Sequence, residues 1–195
     1  MIQDIFKTPL YKESLSLNNK EMASYCLTLQ KDNKGRTISN IGGWQSNDLK
    51  GIHKPFEKLI DTIIIKGNSL AETLDMNKVR LYNIWVNING YKDTNISHSH
   101  THSIFSGVYY VNVPNNGGNI VFEHPTYDTI QYDWNHDSVK SWNAYNSSLW
   151  TQVSKTGDIL LFPSWLKHYV KPNLNKKEPR ISISFNFELD KRVVL

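Results

Sequence analysis

The sequence predicts a mainly β protein, an antiparallel barrel or jelly roll with N-terminal helices packed on it. Two observations carry this. From residue 79 onward, short runs rich in Val, Ile, Tyr and Phe are separated by Gly, Pro and Asn turns, whereas the first third shows helical spacing. In the last run, Ile181, Ile183, Phe185 and Phe187 alternate with Ser182, Ser184 and Asn186, the period-two pattern of a strand with two different faces. Helices first and many short strands afterwards suit one domain over residues 1–195, with a helical elaboration over 1–78 and a β-barrel core over 79–195.

Residues 16–30 form the first expected helix, capped by Ser16 or Asn18, with Met22, Tyr25, Cys26 and Leu29 near helical spacing. Residues 40–46, which include Gly42 and Gly43, read as a strand beside a glycine bend. A longer helix is expected over 55–74, with Phe56, Ile60, Ile63 and Ile64 on one face and Gly67 and Asn68 weakening its middle. Strands follow over 79–88, 106–113, 119–123, 149–153, 158–162, 167–171 and 180–188. The turn Asn115-Asn116-Gly117-Gly118 reads as a hairpin joining the second of these strands to the third. Residues 134–148 lack periodicity but carry Trp134, Trp142 and Tyr145, which suggests a lid or recognition loop.

Composition narrows the function. The chain has 195 residues, 39% of them hydrophobic, and no apolar run approaches the ~18–20 residues of a membrane span. Its first residues lack a signal-peptide pattern. The one cysteine, Cys26, excludes an internal disulfide and a Cys-based zinc site and points to a reducing cytoplasm. The net charge of +4 is spread out, with clusters only at Lys176-Lys177 and Lys191-Arg192. That reads as a solvated surface, compatible with nucleic acid but not indicating it. Asparagine is frequent, at 21 residues, and beside abundant Lys and Ile it reads as compositional bias rather than chemistry.

The chemistry sits in the histidines. His98, His100 and His102 alternate, so an extended strand would present them on one face, and His168 follows a distant apolar run. Imidazole is the commonest metal ligand at neutral pH. A metal that activates dioxygen needs open positions and is held by about three ligands on one face, which His98, His100 and His168 supply. His102 competes with His100, because it would face the same way. Asp93, in a loop, and Asp158, at a barrel edge, are less suited.

Several motifs occur in a fixed order. They are His98-Ser-His100-Thr-His102-Ser103, residues 106–111 (SGVYYV), 117–122 (GGNIVF) and 157–164 (GDILLFPS), then His168-Tyr169-Val170 and residues 180–186 (RISISFN). Gly42-Gly43-Trp44-Gln45-Ser46 and Trp85-Val86-Asn87 accompany them. As an ordered set they resemble the 2-oxoglutarate- and Fe(II)-dependent oxygenases, and more narrowly a branch found in phages and marine bacteria. The resemblance covers most of the chain. It implies a double-stranded β-helix, the cupin-like form of the jelly roll.

It also implies Fe(II) as metal, 2-oxoglutarate as cosubstrate and oxygen as co-reactant. His98 and His168 would be the first and distal ligands, and His100 would stand where the wider superfamily has a carboxylate. Arg180 would pair with the far carboxylate of 2-oxoglutarate, since a planar guanidinium binds a carboxylate through two parallel hydrogen bonds. Tyr110 and Ser184 would touch the same cosubstrate. The implied activity is hydroxylation of an unidentified substrate as 2-oxoglutarate is decarboxylated to succinate. A cosubstrate-free cupin-type metalloenzyme and a non-catalytic metal-binding barrel are the competing readings. Assembly as a homodimer is compatible with either.

Overall fold

A computed structural model describes residues 1–191, so Arg192 of the second basic cluster lies outside the described residues. The elements run as β1 (Tyr11–Ser14), α1 (Asn19–Asp32), β2 (Asn40–Ile41), β3 (Trp44–Gln45), a 3-10 turn (Lys54–Phe56) and α2 (Glu57–Thr73). Then come β4 (Val79–Asn89), β5 (Thr94–His98), β6 (Phe105–Asn112), β7 (Ile120–Glu123) and α3 (Tyr127–Asp133). The chain ends with β8 (Leu149–Gln152), β9 (Asp158–Pro163), β10 (His168–Val170) and β11 (Arg180–Leu189). Two sheets result, both wholly antiparallel: a six-stranded one in the order β1-β9-β6-β11-β4-β3 and a five-stranded one in the order β2-β5-β10-β7-β8. No helix among the described residues is long and apolar enough to cross a membrane.

Period-two alternation builds two cores from the same strands. Ile181, Ile183, Phe185 and Phe187 of β11, with Ile84, Val86 and Ile88 of β4 and Ile159 and Leu161 of β9, pack against Met22, Cys26, Leu59 and Ile63 of the helices. The opposite face turns inward between the sheets, where Val108, Tyr110, Leu160 and Phe162 meet Ile120, Phe122 and Leu166. On β11 that inward face is polar: Arg180, Ser182 and Ser184. The strand most regular in sequence therefore has an apolar side for the helices and a polar side for a pocket.

Local signals explain most boundaries. Asn18, not Ser16, caps α1, its side chain accepting from the Glu21 backbone N–H. On α2 the buried positions are Leu59, Ile63, Gly67, Leu70 and Ala71, while Ile64 is exposed, so the apolar face lies turned from the one the sequence suggests. Gly67 does not break the helix. It admits the Phe187 ring, since a Cβ there would lie 2.4 Å from Phe187 Cζ. Asn68 is equally productive, its amide bonding both the N–H and the carbonyl of Val79 and fixing where β4 starts.

Three short strands come from the first 78 residues, and each joins a sheet. β2 and β3 are separated by Gly42 and Gly43, both at positive φ, and the bend carries the chain from the edge of one sheet to the edge of the other. The expected hairpin at residues 115–118 is not one. β6 pairs with β9 and β11 in the larger sheet, whereas β7 pairs with β8 and β10 in the smaller. The Asn-Gly turn chemistry marks a real bend, but that bend crosses between layers.

Candidate functional site

The pocket opens between the sheets. The larger sheet contributes Trp85 and Asn87 of β4, Val108 and Tyr110 of β6, and Arg180, Ser182 and Ser184 of β11. The smaller contributes Asn95, His98, Ile120, His168 and Val170, with Ser39 just before β2 and His100 just after β5. A shallow depression on α3, lined by Asp128, Gln131, Tyr132 and Asn135, carries none of this chemistry.

His98, His100 and His168 converge, with candidate ligand atoms all within 4.8 Å of one another. His98 and His168 are direct cross-strand partners on β5 and β10, with ring centroids 4.5 Å apart. Each donates from Nδ1 to the carbonyl two residues before it, Ile96 at 2.7 Å and Leu166 at 2.9 Å. A carbonyl only accepts, so the proton is fixed on Nδ1 and the Nε2 lone pair is left for a metal. His100 arrives differently. β5 ends at His98, and the His100 backbone N–H donates to the Ser164 carbonyl at 2.9 Å, which folds the chain back over the site. Its ring is stacked on His168 at 5.3 Å and tilted against Trp85 at 5.8 Å.

The three-histidine face expected of a continuous strand is thus realised for His98 and His100 only. His102 is exposed at φ 64° in the following turn, and it stands outside the cluster. Neither aspartate considered from sequence reaches the site. Asp93 accepts from the Gly90 N–H, and Asp158 is tied to Ser14, Lys12 and the Lys155 N–H where β1 meets β9.

Burial holds all three imidazoles neutral. It pushes His168 down to about 3 and His100 to about 4, with neighbouring histidines adding to the fall, and it lowers His98 as well. Neutral rings are the form that binds a metal, and at pH 7 no proton competes for the lone pairs. The donor set therefore fits a borderline divalent metal such as Fe(II).

At the other end Arg180 is 2% exposed. Its Nη2 donates to Asn89 Oδ1 at 3.0 Å and its Nη1 to the Gly118 carbonyl at 3.3 Å, while Nε is buried without a partner. No carboxylate among the described residues pairs with it, and no Asp or Glu lines the pocket. Burial pulls its pKa below the usual arginine value, the signature of a desolvated charge without a counter-ion. Tyr110 lies near enough for its buried phenol, raised by desolvation, to feel this cation. Ser184 lies further along the same face, opposite Trp85, and accepts from Asn87 Nδ2 at 3.0 Å.

A family model described as "Putative 2OG-Fe(II) oxygenase" matches residues 83–186, more than half the chain. The chain belongs to this 2-oxoglutarate- and Fe(II)-dependent oxygenase family. The matched span begins in β4 and includes the three histidines, Tyr110, Arg180 and Ser184. No curated protein matches the sequence. Among solved structures, the oxygenase is similar to a prolyl-4-hydroxylase from Pseudomonas putida, with 13% identity, 92% of each chain covered and a TM-score of 0.64. It is also similar to HygX from Streptomyces hygroscopicus, solved with nickel, 2-oxoglutarate and hygromycin B, at 12% identity, 94% and 84% coverage and a TM-score of 0.62. A third is the viral collagen prolyl hydroxylase of Paramecium bursaria Chlorella virus-1 in complex with 2-oxoglutarate, at 14% identity, 92% and 96% coverage and a TM-score of 0.59. At these identities the likeness establishes the double-stranded β-helix fold.

Sequence reasoning gave no role to part of the oxygenase pocket, noting Trp85 and Asn87 only within a motif. Trp85, Asn87, Asn89, Asn95 and Ser39 all contribute to it or to its support. A signal was present: Trp85, Asn87 and Asn89 share the face of β4 opposite Ile84, Val86 and Ile88. Polar residues repeating every second position of an otherwise apolar strand mark a wetted inner face.

Proposed function

We propose that this oxygenase holds Fe(II) on Nε2 of His98 and His168 and on a ring nitrogen of His100. Arg180 takes the distal carboxylate of 2-oxoglutarate, and a C–H bond of an unidentified primary substrate is hydroxylated. One observation supports this above the others. A buried guanidinium with no carboxylate partner lies at one end of a pocket whose other end gathers three neutral imidazoles. With iron bound, the site supplies redox chemistry in which one oxygen atom of O2 enters the substrate and the other enters succinate as 2-oxoglutarate loses CO2.

The chain's own residues do the positioning. Arg180 keeps donors free on Nε and on the unused N–H groups of Nη1 and Nη2, enough for a bidentate carboxylate contact. Tyr110 supplies a phenolic O–H near the same anion. Ser184 accepts from Asn87 and retains a hydroxyl proton to donate into the pocket. Val108, Ile120, Phe162 and Val170 line the remaining wall with apolar surface, which excludes water and strengthens these polar contacts. Residues 134–148 serve as the lid or recognition segment for the primary substrate. The single thiol, Cys26, is buried and pushed up to about 12 by desolvation, which keeps it protonated and inert, and the lack of a second cysteine to pair with it fits the reducing cytoplasm we propose.

Anaerobic calorimetry tests the core of this reading. Mn(II)- or Fe(II)-loaded protein is expected to bind one 2-oxoglutarate, and the iron form in air is expected to release succinate slowly without primary substrate. Metal binding without 2-oxoglutarate binding would move the protein to the cosubstrate-free metalloenzymes.

A further inference from the structure

The structure assigns to Asn89 the role of a positioning residue that aims Arg180 while leaving its charge uncompensated; this rests on Arg180 being the cosubstrate anchor. Asn89 and Arg180 are direct cross-strand partners on β4 and β11. Both are 2% exposed, and Nη2 of Arg180 donates to Asn89 Oδ1 at 3.0 Å. A carboxylate at this position would make the stronger bond. It would also pair with the guanidinium before any ligand arrived. An amide oxygen gives the same direction with no net charge.

The orientation of the amide follows from hydrogen-bond chemistry. A guanidinium has donors only, so Asn89 must turn its oxygen toward it. Its Nδ2 then faces outward and donates to Asn95 Oδ1 at 3.3 Å. Asn95 is oriented in turn, and its Nδ2 donates to Ser39 Oγ at 3.2 Å. Every bond in this relay runs the same way, from Arg180 to the segment just before β2. The Asn89 backbone is held separately, its carbonyl accepting from Asn173 Nδ2 at 2.9 Å. Orientation of the cation is thus anchored at the edge of the smaller sheet, across the pocket from β11.

The test compares Asn89→Ala, Asn89→Asp and Asn95→Ala with wild type and Arg180→Ala, all Mn(II)-loaded and titrated with 2-oxoglutarate or 2-oxobutyrate. The second probe keeps the 2-oxo acid and lacks the distal carboxylate. Asn89→Ala is expected to weaken 2-oxoglutarate about tenfold, the scale of one hydrogen bond to a charged group. Asn89→Asp is expected to weaken it further, about 100-fold, because the new carboxylate neutralises the cation. Its melting temperature is nevertheless expected to equal or exceed that of the Ala variant. Asn95→Ala, one bond further out, is expected to cost about two- to threefold. None of these should change 2-oxobutyrate affinity by more than about twofold.

A residue that merely fills space would rank Asp closer to wild type than Ala and would move both probes together; either result overturns the assignment. If wild type binds 2-oxoglutarate and Arg180→Ala does not, yet the Asn89 variants bind like wild type, the positioning role fails alone. If Arg180→Ala binds like wild type, the anchor itself is wrong and the role of Asn89 falls with it.

Discussion

At the histidine end of the pocket, His98 and His168 are oriented by the backbone two residues before them. At the arginine end, the guanidinium is oriented by groups 62 and 91 positions away in the chain. The first end is assembled locally and then brought together by the pairing of β5 with β10. The second exists only when β4, β11 and the Gly118 bend are all in place. The ends also differ electrically: three neutral rings face one permanent cation. A site made this way can lose the arginine end without losing the metal end, and that separation can be tested.

The largest effect should come from the histidine end. His168→Ala removes a proposed ligand that pairs directly with His98, and we expect stoichiometric Mn(II) binding to disappear in equilibrium dialysis. Arg180→Ala should leave that stoichiometry intact while lowering 2-oxoglutarate affinity by at least about 100-fold. Each charge-assisted bond it removes is worth roughly 1.5–3 kcal/mol, and about 1.4 kcal/mol is a tenfold change. Loss of metal binding in Arg180→Ala would show that the two ends form one cooperative unit.

Acid should distinguish the ends next. The imidazoles have folded pKa values below the ordinary 6.5, at about 3 for His168 and about 4 for His100. Below pH 6.5 the unfolded chain therefore binds more protons than the folded one, and stability falls as pH falls until the folded values are reached. Thermal melts of the metal-free protein should decline across roughly pH 6.5 to 3, and the decline should be shallower in His168→Ala. Arg180 stays charged throughout and should add no slope. Identical pH profiles for the two proteins would remove the buried neutral histidine as the cause.

Smaller effects are expected outside the pocket. Residues 134–148 contain no regular element, and limited proteolysis should cut there before the sheets. Deleting that loop should leave Mn(II) and 2-oxoglutarate affinities within about threefold while altering turnover of the primary substrate. Smallest of all, His102→Ala should change Mn(II) affinity by less than about twofold, as expected of an exposed side chain in a turn. An effect equal to that of His98→Ala would mean that the ligand register is shifted by two.

The same contrast explains what could be read in advance. The histidine end was legible because spacing along the chain is itself the signal, although the strand stops at His98 and a tertiary bond from His100 to Ser164 completes the set. The place of Arg180 in the pocket was singled out only through resemblance. Its supports were not, because asparagine looked like compositional bias. Asn40, Asn87, Asn89, Asn95, Asn173 and Asn186 are in fact buried, with their amides bonded. For Asn87, Asn89 and Asn186 the partner follows from the β4–β11 register, a pairing between residues about a hundred positions apart. The turn at 115–118 failed for a related reason, since turn residues specify a change of direction and not the layer the next strand joins.

The arrangement of charge has a consequence for how the protein is filled. No acidic side chain among the described residues lines the pocket, so a divalent cation arriving alone meets a cavity that already carries a positive charge. A dicarboxylate arriving alone meets the cation but no metal to chelate. Each ligand supplies what the other lacks, and reciprocity requires that whatever factor one adds to the affinity of the other is returned in equal measure. The resting protein should accordingly hold iron loosely where 2-oxoglutarate is scarce and firmly where it is abundant. Its loaded fraction would then follow the supply of a central carbon metabolite as much as the supply of iron.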